Sequence, residues 1–231
     1  MQKVEKTIWQ TDTVSLPIKN QRGRFPVRRI YCVGRNYLDH IREMNEADER
    51  DPPFFFQKPT DSIVEDGGSV PYPSATDDLQ FEVELVIAIG SPGKAISVEA
   101  AHEHIFGYAV GIDMTRRDRQ RESKDRGLPW EIGKSFDCSA PCSAIVPAKD
   151  IGHPAGGALS LRVNDQPRQH GDFGQMIWNV SEIVANLSNQ YALKPGDLIF
   201  TGTPAGVGPV CVGDRLDASI EGIGKLTLTI S

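Results

Sequence analysis

Glu82-Val83-Glu84 sets two carboxylates two residues apart within a run whose odd positions, Leu79, Phe81, Val83, Leu85, Ile87 and Ile89, are all apolar. Strict alternation of this kind predicts a strand over 79–90 with one buried face. At a rise of about 3.3 Å per residue, both acids then share the other face, their Cβ atoms roughly 7 Å apart. A bare pair like this most often marks a solvent-facing edge. Asp113 argues against that reading. It closes a second predicted strand, Phe106–Met114, whose alternate positions Gly107, Ala109 and Gly111 are tiny, a pattern expected where another backbone or a ligand approaches closely. Three carboxylates without Cys or His suit a hard divalent ion such as Mg²⁺, with water completing its shell.

His40 and Glu43 form a second candidate pair. Three residues apart on a helix they share a face, so the carboxylate can hold and polarise the imidazole. A histidine held this way is a common device for deprotonating water, although most such pairs are ordinary surface ion pairs. A third feature is Thr201-Gly202-Thr203-Pro204-Ala205-Gly206-Val207-Gly208, which follows a predicted strand. It lacks the Lys-Ser/Thr ending of a phosphate-binding loop, as does Gly90–Lys94, so nucleotide binding is disfavoured. Its glycines instead permit a tight turn that aims backbone N–H groups and a Thr hydroxyl at an anion. Two other groupings carry less. His102 and His104, two apart on a helix, point their rings in different directions, and Cys138 and Cys142 are neither a CxxC nor accompanied by a second pair, which disfavours zinc.

These residues need elements to position them. The 231 residues, 39% apolar and 24% charged, fit one strand-dominated α+β body rather than a disordered chain. Residues 1–25, polar and weakly patterned, are expected to form a strand or hairpin leaning on a main body of residues 26–231. Strands are predicted at 28–33, 54–59, 159–163, 198–200 and 226–230. Short helices are predicted over 38–45 and 97–104. The best helical stripe, Met176, Ile177, Val180, Ile183, Val184 and Leu187, reads as core. Arg116–Trp130 reads as a charged, solvated loop. A net charge of -6 disfavours nucleic acid as a partner, and no apolar run is long enough to span a membrane. Met1–Gln10 lacks the apolar stretch of a signal peptide, and four cysteines in a chain of this length make no disulfide framework. A reducing cytoplasm is therefore the expected location.

Taken in order along the chain, the motifs resemble the fumarylacetoacetate hydrolase family. They are Tyr31–His40 with Glu43, Phe56-Gln57-Lys58-Pro59, Phe81–Glu84, Gly107–Asp113, Thr115–Gln120, Gly133–Asp137 and Gly196–Gly206. The likeness runs from about Arg28 onward and is strongest toward the fumarylpyruvate and acylpyruvate hydrolase branch. It implies a mixed β-sandwich roll, a homodimer, an Mg²⁺- or Mn²⁺-dependent site, and hydrolysis of a C–C bond beside a carbonyl in a β-diketo acid. It also implies roles for residues. Glu82, Glu84 and Asp113 are expected as metal ligands, and His40 with Glu43 as the water-activating dyad. Lys134 is expected as a catalytic group and Gln120 as a substrate contact. Arg117, Lys58, Thr203 and Arg35 are expected in the substrate pocket. At least one of Arg35, Arg116 and Arg117 is further expected to point into the pocket and supply a cation for a second carboxylate at the substrate's far end. Where many members read Pro-x-Gly-Pro, this chain has Pro141-Cys142-Ser143-Ala144, a departure that bears on selectivity. Two rivals are weighed: decarboxylation of oxaloacetate at the same metal, and a non-catalytic binding domain, which requires the three acids to be solvated.

Overall fold

Val83–Ile89 lies inside a six-stranded sheet and is buried along its whole length. The computed structural model describes residues 9, 12–44 and 51–231. Across this sheet the strand order is Val146–Pro147, Ile105–Ile112, Val83–Ile89, Asp197–Phe200, Arg29–Val33 and Phe55–Lys58. All neighbours are antiparallel except Asp197–Phe200 beside Arg29–Val33. A five-stranded sheet packs against it, built from Gln166–Asp172, Ala158–Val163, Arg215–Ile220, Gly224–Ile230 and Ser69–Val70.

The period-2 pattern of the central strand decides what each face meets. Leu85, Ile87 and Ile89 join Tyr108, Val110, Leu161, Leu216, Leu228 and the Val180–Gln190 helix in the larger core. Val86 and Ala88, on the other face, pack with Ile30, Cys32, Leu198 and Phe200 under a hairpin of Ser15–Pro17 and Arg24–Pro26. Both faces are thus covered, where the alternation predicts one buried face, and the solvent-facing edge against which Asp113 argued does not exist. Glu84 shares the Val86 face at the point where this cover gives way to a cavity.

Several expectations change on the same physical grounds. The predicted 79–90 strand is broken at Glu82 into Leu79–Phe81 and Val83–Ile89, and the Val83 N–H donates to the Gln169 side chain instead. The tiny residues of Ile105–Ile112 admit protein, not ligand. A Cβ on Gly107 would meet the Val146 carbonyl, and one on Gly111 the side chains of Phe200 and Val86. The expected 97–104 helix shrinks to a 3-10 turn, Ala101–His104, in which Ala101 is the buried residue; with no apolar stripe to bury, one turn does not propagate. The 176–189 helix starts at Val180, because Asn179 and Glu182 form a capping box there.

The largest correction falls on 116–130. Arg117–Asp125 is a helix, here α2, and Glu131–Lys134 is a short helix, α3, packed against it. A Cβ on Gly133 would meet the Gln120 backbone, which shows how closely the two approach. The buried residues of α2 are Arg117, Gln120 and Ser123, so its period is carried by polar groups that a hydrophobic pattern does not reveal. Of the N-terminal expectation, residues 1–8, 10 and 11 lie outside the described residues, as does Asn45 at the end of the predicted 38–45 helix, which the structure describes as Leu38–Glu43, here α0.

Candidate active site

A cavity of about 510 Å³ opens between α0, α2, the Thr201–Gly208 loop and the ends of the central strands. Glu82 and Glu84 line it, and Asp113 stands behind them. Each offers an oxygen within 4.8 Å of the others, and all three are buried. The cause is local. Glu82 occupies the strand break, where its carbonyl accepts from the Asp113 N–H (2.8 Å), and Glu84 lies across the sheet from Gly111, two residues before Asp113. The acids are not solvated, which removes the basis of the non-catalytic binding reading.

Buried acids need partners. The Lys134 ammonium donates to Glu82 Oε2 (2.7 Å), Asp113 Oδ2 (2.8 Å) and Thr115 Oγ1 (2.7 Å). Arg117 bonds Glu82 Oε1 through Nη2, Gln120 Oε1 through Nη1 (2.6 Å) and Gln80 Oε1 through Nε (2.9 Å). Lys58 pairs with Asp113 Oδ1 (2.8 Å) and donates to the carbonyls of Met114 (3.1 Å) and Lys134. Glu84 receives the Gly202 N–H (2.8 Å). Burial pushes the Glu82 carboxyl up, but Lys134 and Arg117 outweigh it and hold Glu82 well below the usual carboxylate range. Burial also pushes Glu84 up, and there the charges of Asp113 and Glu82 add to it. Burial alone would lower the Lys134 ammonium, but Asp113 and Glu82 raise it. An oxygen-only set that strains one member through like charge fits a hard divalent cation, which would relieve that repulsion.

His40 reaches the same cavity from α0. Its Nδ1 lies 3.1 Å from Glu43 Oε2, and both Glu43 oxygens accept the Gly206 N–H (3.0 and 3.2 Å). Burial raises the Glu43 carboxyl, but the hydrogen bonds from His40 and Gly206 more than offset it and keep Glu43 below its ordinary value. The glycine loop does aim N–H groups at anions, and those anions are the protein's own Glu84 and Glu43. Gly202 and Gly206 manage this at φ of 95° and 98°, where side chains other than glycine are strained.

The cavity therefore gathers Arg35, His40, Glu43, Glu82, Glu84, Arg117, Gln120, Lys134 and Thr203. Lys58 is the exception among the expected pocket residues: it lies beneath the acids, with its ammonium committed to Asp113 and two carbonyls, and does not line the cavity. Thr203 lines it, but its hydroxyl donates to the Val83 carbonyl (2.9 Å) and accepts from Gln169 (2.7 Å). Arg116 stacks on Phe136 (4.4 Å) outside the lining, and Arg117 is consumed by the acid floor. Of the three arginines expected near a distal carboxylate, Arg35 and Arg117 line the cavity and Arg116 does not.

Sequence reasoning missed Asn36, Gln169, Thr115 and Trp130. Asn36 joins the loop before α0 to Thr201 (2.7 Å) and Trp178 (3.0 Å), and Gln169 ties Thr203 to the strand break. Isolated amides carry no pattern a single sequence can reveal. Trp130 lines the cavity and meets Phe54 edge-on at 5.1 Å. His102 and His104 do point apart: His102 stacks on His153 at 4.3 Å, and His104 lies 3.3 Å from the Ser91 carbonyl.

Comparison with known proteins gives concordant results. The profile described as fumarylacetoacetate (FAA) hydrolase C-terminal matches residues 29–231. A fumarylpyruvate hydrolase of a Ralstonia species is 48% identical over 177 residues, covering 77% of this chain and 92% of that protein. A human mitochondrial oxaloacetate tautomerase is 41% identical over 203 residues, 88% of this chain and 91% of that protein. The crystal structure of fumarylpyruvate hydrolase from Pseudomonas aeruginosa in complex with Mn²⁺ and pyruvate superimposes with a TM-score of 0.95. It is 49% identical, and the match covers 97% of this chain and 99% of that one.

Proposed function

Because the chain belongs to the fumarylacetoacetate hydrolase family, we propose that it is a divalent-metal-dependent hydrolase of acylpyruvates that cleaves fumarylpyruvate to fumarate and pyruvate in aromatic-compound breakdown. The observation that carries this reading is the buried Glu82, Glu84 and Asp113 cluster opening on the cavity that also holds the His40–Glu43 pair. Glu82, Glu84 and Asp113 would hold Mg²⁺ or Mn²⁺, which when bound supplies Lewis-acid stabilisation of the pyruvate enolate as leaving group.

The remaining work falls to side chains. Glu43, anchored by Gly206, holds His40 through Nδ1, so Nε2 is the nitrogen that takes a proton from water. The resulting hydroxide attacks the distal carbonyl. Lys134 donates its three protons to Glu82, Asp113 and Thr115, so it acts on the oxyanion that forms through its positive charge, while the Gln120 amide, whose oxygen accepts from Arg117, is the group beside it that can donate. Collapse of that oxyanion breaks the C–C bond and releases the acyl group as a carboxylic acid; the bonding pair leaves with the pyruvate enolate, whose methylene carbon takes the proton held by His40 to give pyruvate. Lys58 and Arg117 balance the charge of the floor, and Thr203 holds the loop that carries Gly202 and Gly206.

The same reading places the enzyme in the cytoplasm as a homodimer whose catalytic body is residues 26–231, with 1–25 an extension on it. All four cysteines are free, as a reducing compartment favours. Among the described residues no helix is long and apolar enough to cross a membrane. A second reading, chemistry on oxaloacetate at this site, is favoured by the 41% identity to the human oxaloacetate tautomerase. Decarboxylation or tautomerisation needs no attacking water. Assay of the purified protein with Mg²⁺ against fumarylpyruvate, acetylpyruvate and oxaloacetate tests both readings. Release of pyruvate from fumarylpyruvate, lost in His40→Ala, supports the first; turnover confined to oxaloacetate replaces it with the second.

A further inference from the structure

The cavity wall above the acid floor is one face of α2. Arg117, Gln120, Arg121 and Lys124 fall at i, i+3, i+4 and i+7, and all four line the cavity. They differ in depth. Arg117 and Gln120 are buried and bonded to each other and to the floor, whereas Arg121 and Lys124 are exposed. Lys124 stands seven residues beyond Arg117, about 10 Å along the helix axis. Arg121 is met by Asp78 at 3.4 Å, a long contact whose arginine side chain is 62% accessible. Trp130 lines the same cavity, its indole against Phe54 (5.1 Å) and Phe56 (6.2 Å). The cavity thus combines the acid floor with a flat aromatic side chain and two exposed cations, with Asp125 beside them.

We propose that Arg121 and Lys124, on the cavity face of α2, form the subsite that reads a second carboxylate at the far end of the acyl group. This rests on the acylpyruvate reading above, which anchors the pyruvoyl end at the acid floor and directs the acyl group outward. A flat, unsaturated acyl chain lies along Trp130 and delivers its terminal carboxylate to the two cations. The guanidinium can grip that carboxylate with two parallel hydrogen bonds, which an ammonium cannot, so Arg121 is the main specificity determinant and Lys124 adds charge. A neutral acyl group makes no use of either charge.

The test is the ratio of kcat/KM for fumarylpyruvate to that for acetylpyruvate. In the Arg121→Gln/Lys124→Gln double variant this ratio falls about tenfold or more, the worth of a charged hydrogen bond. Arg121→Lys retains part of it. A ratio unchanged in the double variant, or one that falls in Arg35→Met instead, overturns the proposal. If the wild type cleaves neither compound, the acylpyruvate reading fails on its own. The subsite is then read by titrating both compounds into Mg²⁺-loaded protein by calorimetry. Tighter binding of fumarylpyruvate that the double variant loses supports the subsite, and equal binding of the two overturns it.

Discussion

The floor and the mouth of the cavity use the same kinds of residue for opposite purposes. At the floor, Glu82, Glu84 and Asp113 meet Lys58, Arg117 and Lys134, and every cation is spent on a carboxylate or a buried oxygen. At the mouth, the exposed Arg121 and Lys124 line the cavity with Asp125 as the acid among them. Burial makes the difference. A charge removed from water must be balanced by the protein itself, while a charge left in water is largely balanced by its hydration and holds its protein contacts only weakly. An arginine in a pocket is therefore evidence of substrate recognition only after its partners have been counted, as Arg117 and Arg121, one helical turn apart, demonstrate.

The comparison can be broken first at the junction of the two regions, where His40 works. His40→Ala should lower hydrolysis by about two to four orders of magnitude, the usual worth of a positioned base. Affinity for a divalent ion should change little, since His40 is not among the proposed ligands. Steady-state kinetics alongside Mn²⁺ titration checks both halves, and wild-type turnover in the variant would remove His40 from the chemistry.

Next in size is the contrast in stability. Lys58→Met takes one of the two cations on buried Asp113 and leaves Lys134 as the other, and breaking a buried pair costs about 3–5 kcal/mol, roughly 6–20 °C in Tm for a chain of this size. Arg126→Ala removes the exposed pair with Glu122 (3.0 Å) on α2, worth a few tenths of a kcal/mol, and should move Tm by about 1 °C. Scanning calorimetry of the two variants compares them directly; similar shifts would contradict the division into a buried floor and a solvated wall.

How much of this was legible in the sequence follows the same line. The alternation over 79–90 and the tiny residues before Asp113 located the acid cluster, because apolar periodicity reports burial and the acids interrupt it. The strand break at Glu82 was not legible, since it depends on Gln169 from another sheet. Nor was α2, whose buried stripe is Arg117, Gln120 and Ser123 and carries no apolar signal. Lys58 was placed in the pocket by resemblance, whereas its depth depends on how Phe55–Lys58 pairs with Arg29–Val33. Local pattern reveals which residues are inside; which of the inside residues face a cavity is decided by strands far apart in the chain.

The smallest expected effect lies away from the cavity, at the stacked His102–His153 pair, and sharpens the account of burial. Burial, and then the charge of His102, hold His153 below its ordinary value of 6.5. Tyr108 O–H meets His153 Nδ1 at 2.8 Å, and Ser181 meets His102 Nε2 at 3.1 Å. As pH falls through 6.5 toward the depressed native value, the unfolded chain binds the proton that the native state resists. Stability present above that window is therefore lost on acidification. In His153→Gln the fall in Tm between neutral and mildly acidic pH should be smaller by on the order of 1 °C. An identical fall in wild type and variant would show that His153 does not titrate in this way.

The central claim is that the acid floor is a divalent-metal site on which hydrolysis depends. The direct measurement is fumarylpyruvate turnover by protein stripped with a chelator, followed by Mg²⁺ or Mn²⁺ added back and Mn²⁺ binding measured by calorimetry in wild type and Glu84→Gln. The expected result is loss of turnover on stripping, recovery on addition of one ion per chain, a higher Tm in the loaded protein, and binding weakened at least about tenfold in the variant. Full turnover by protein that binds no ion after exhaustive chelation would contradict it.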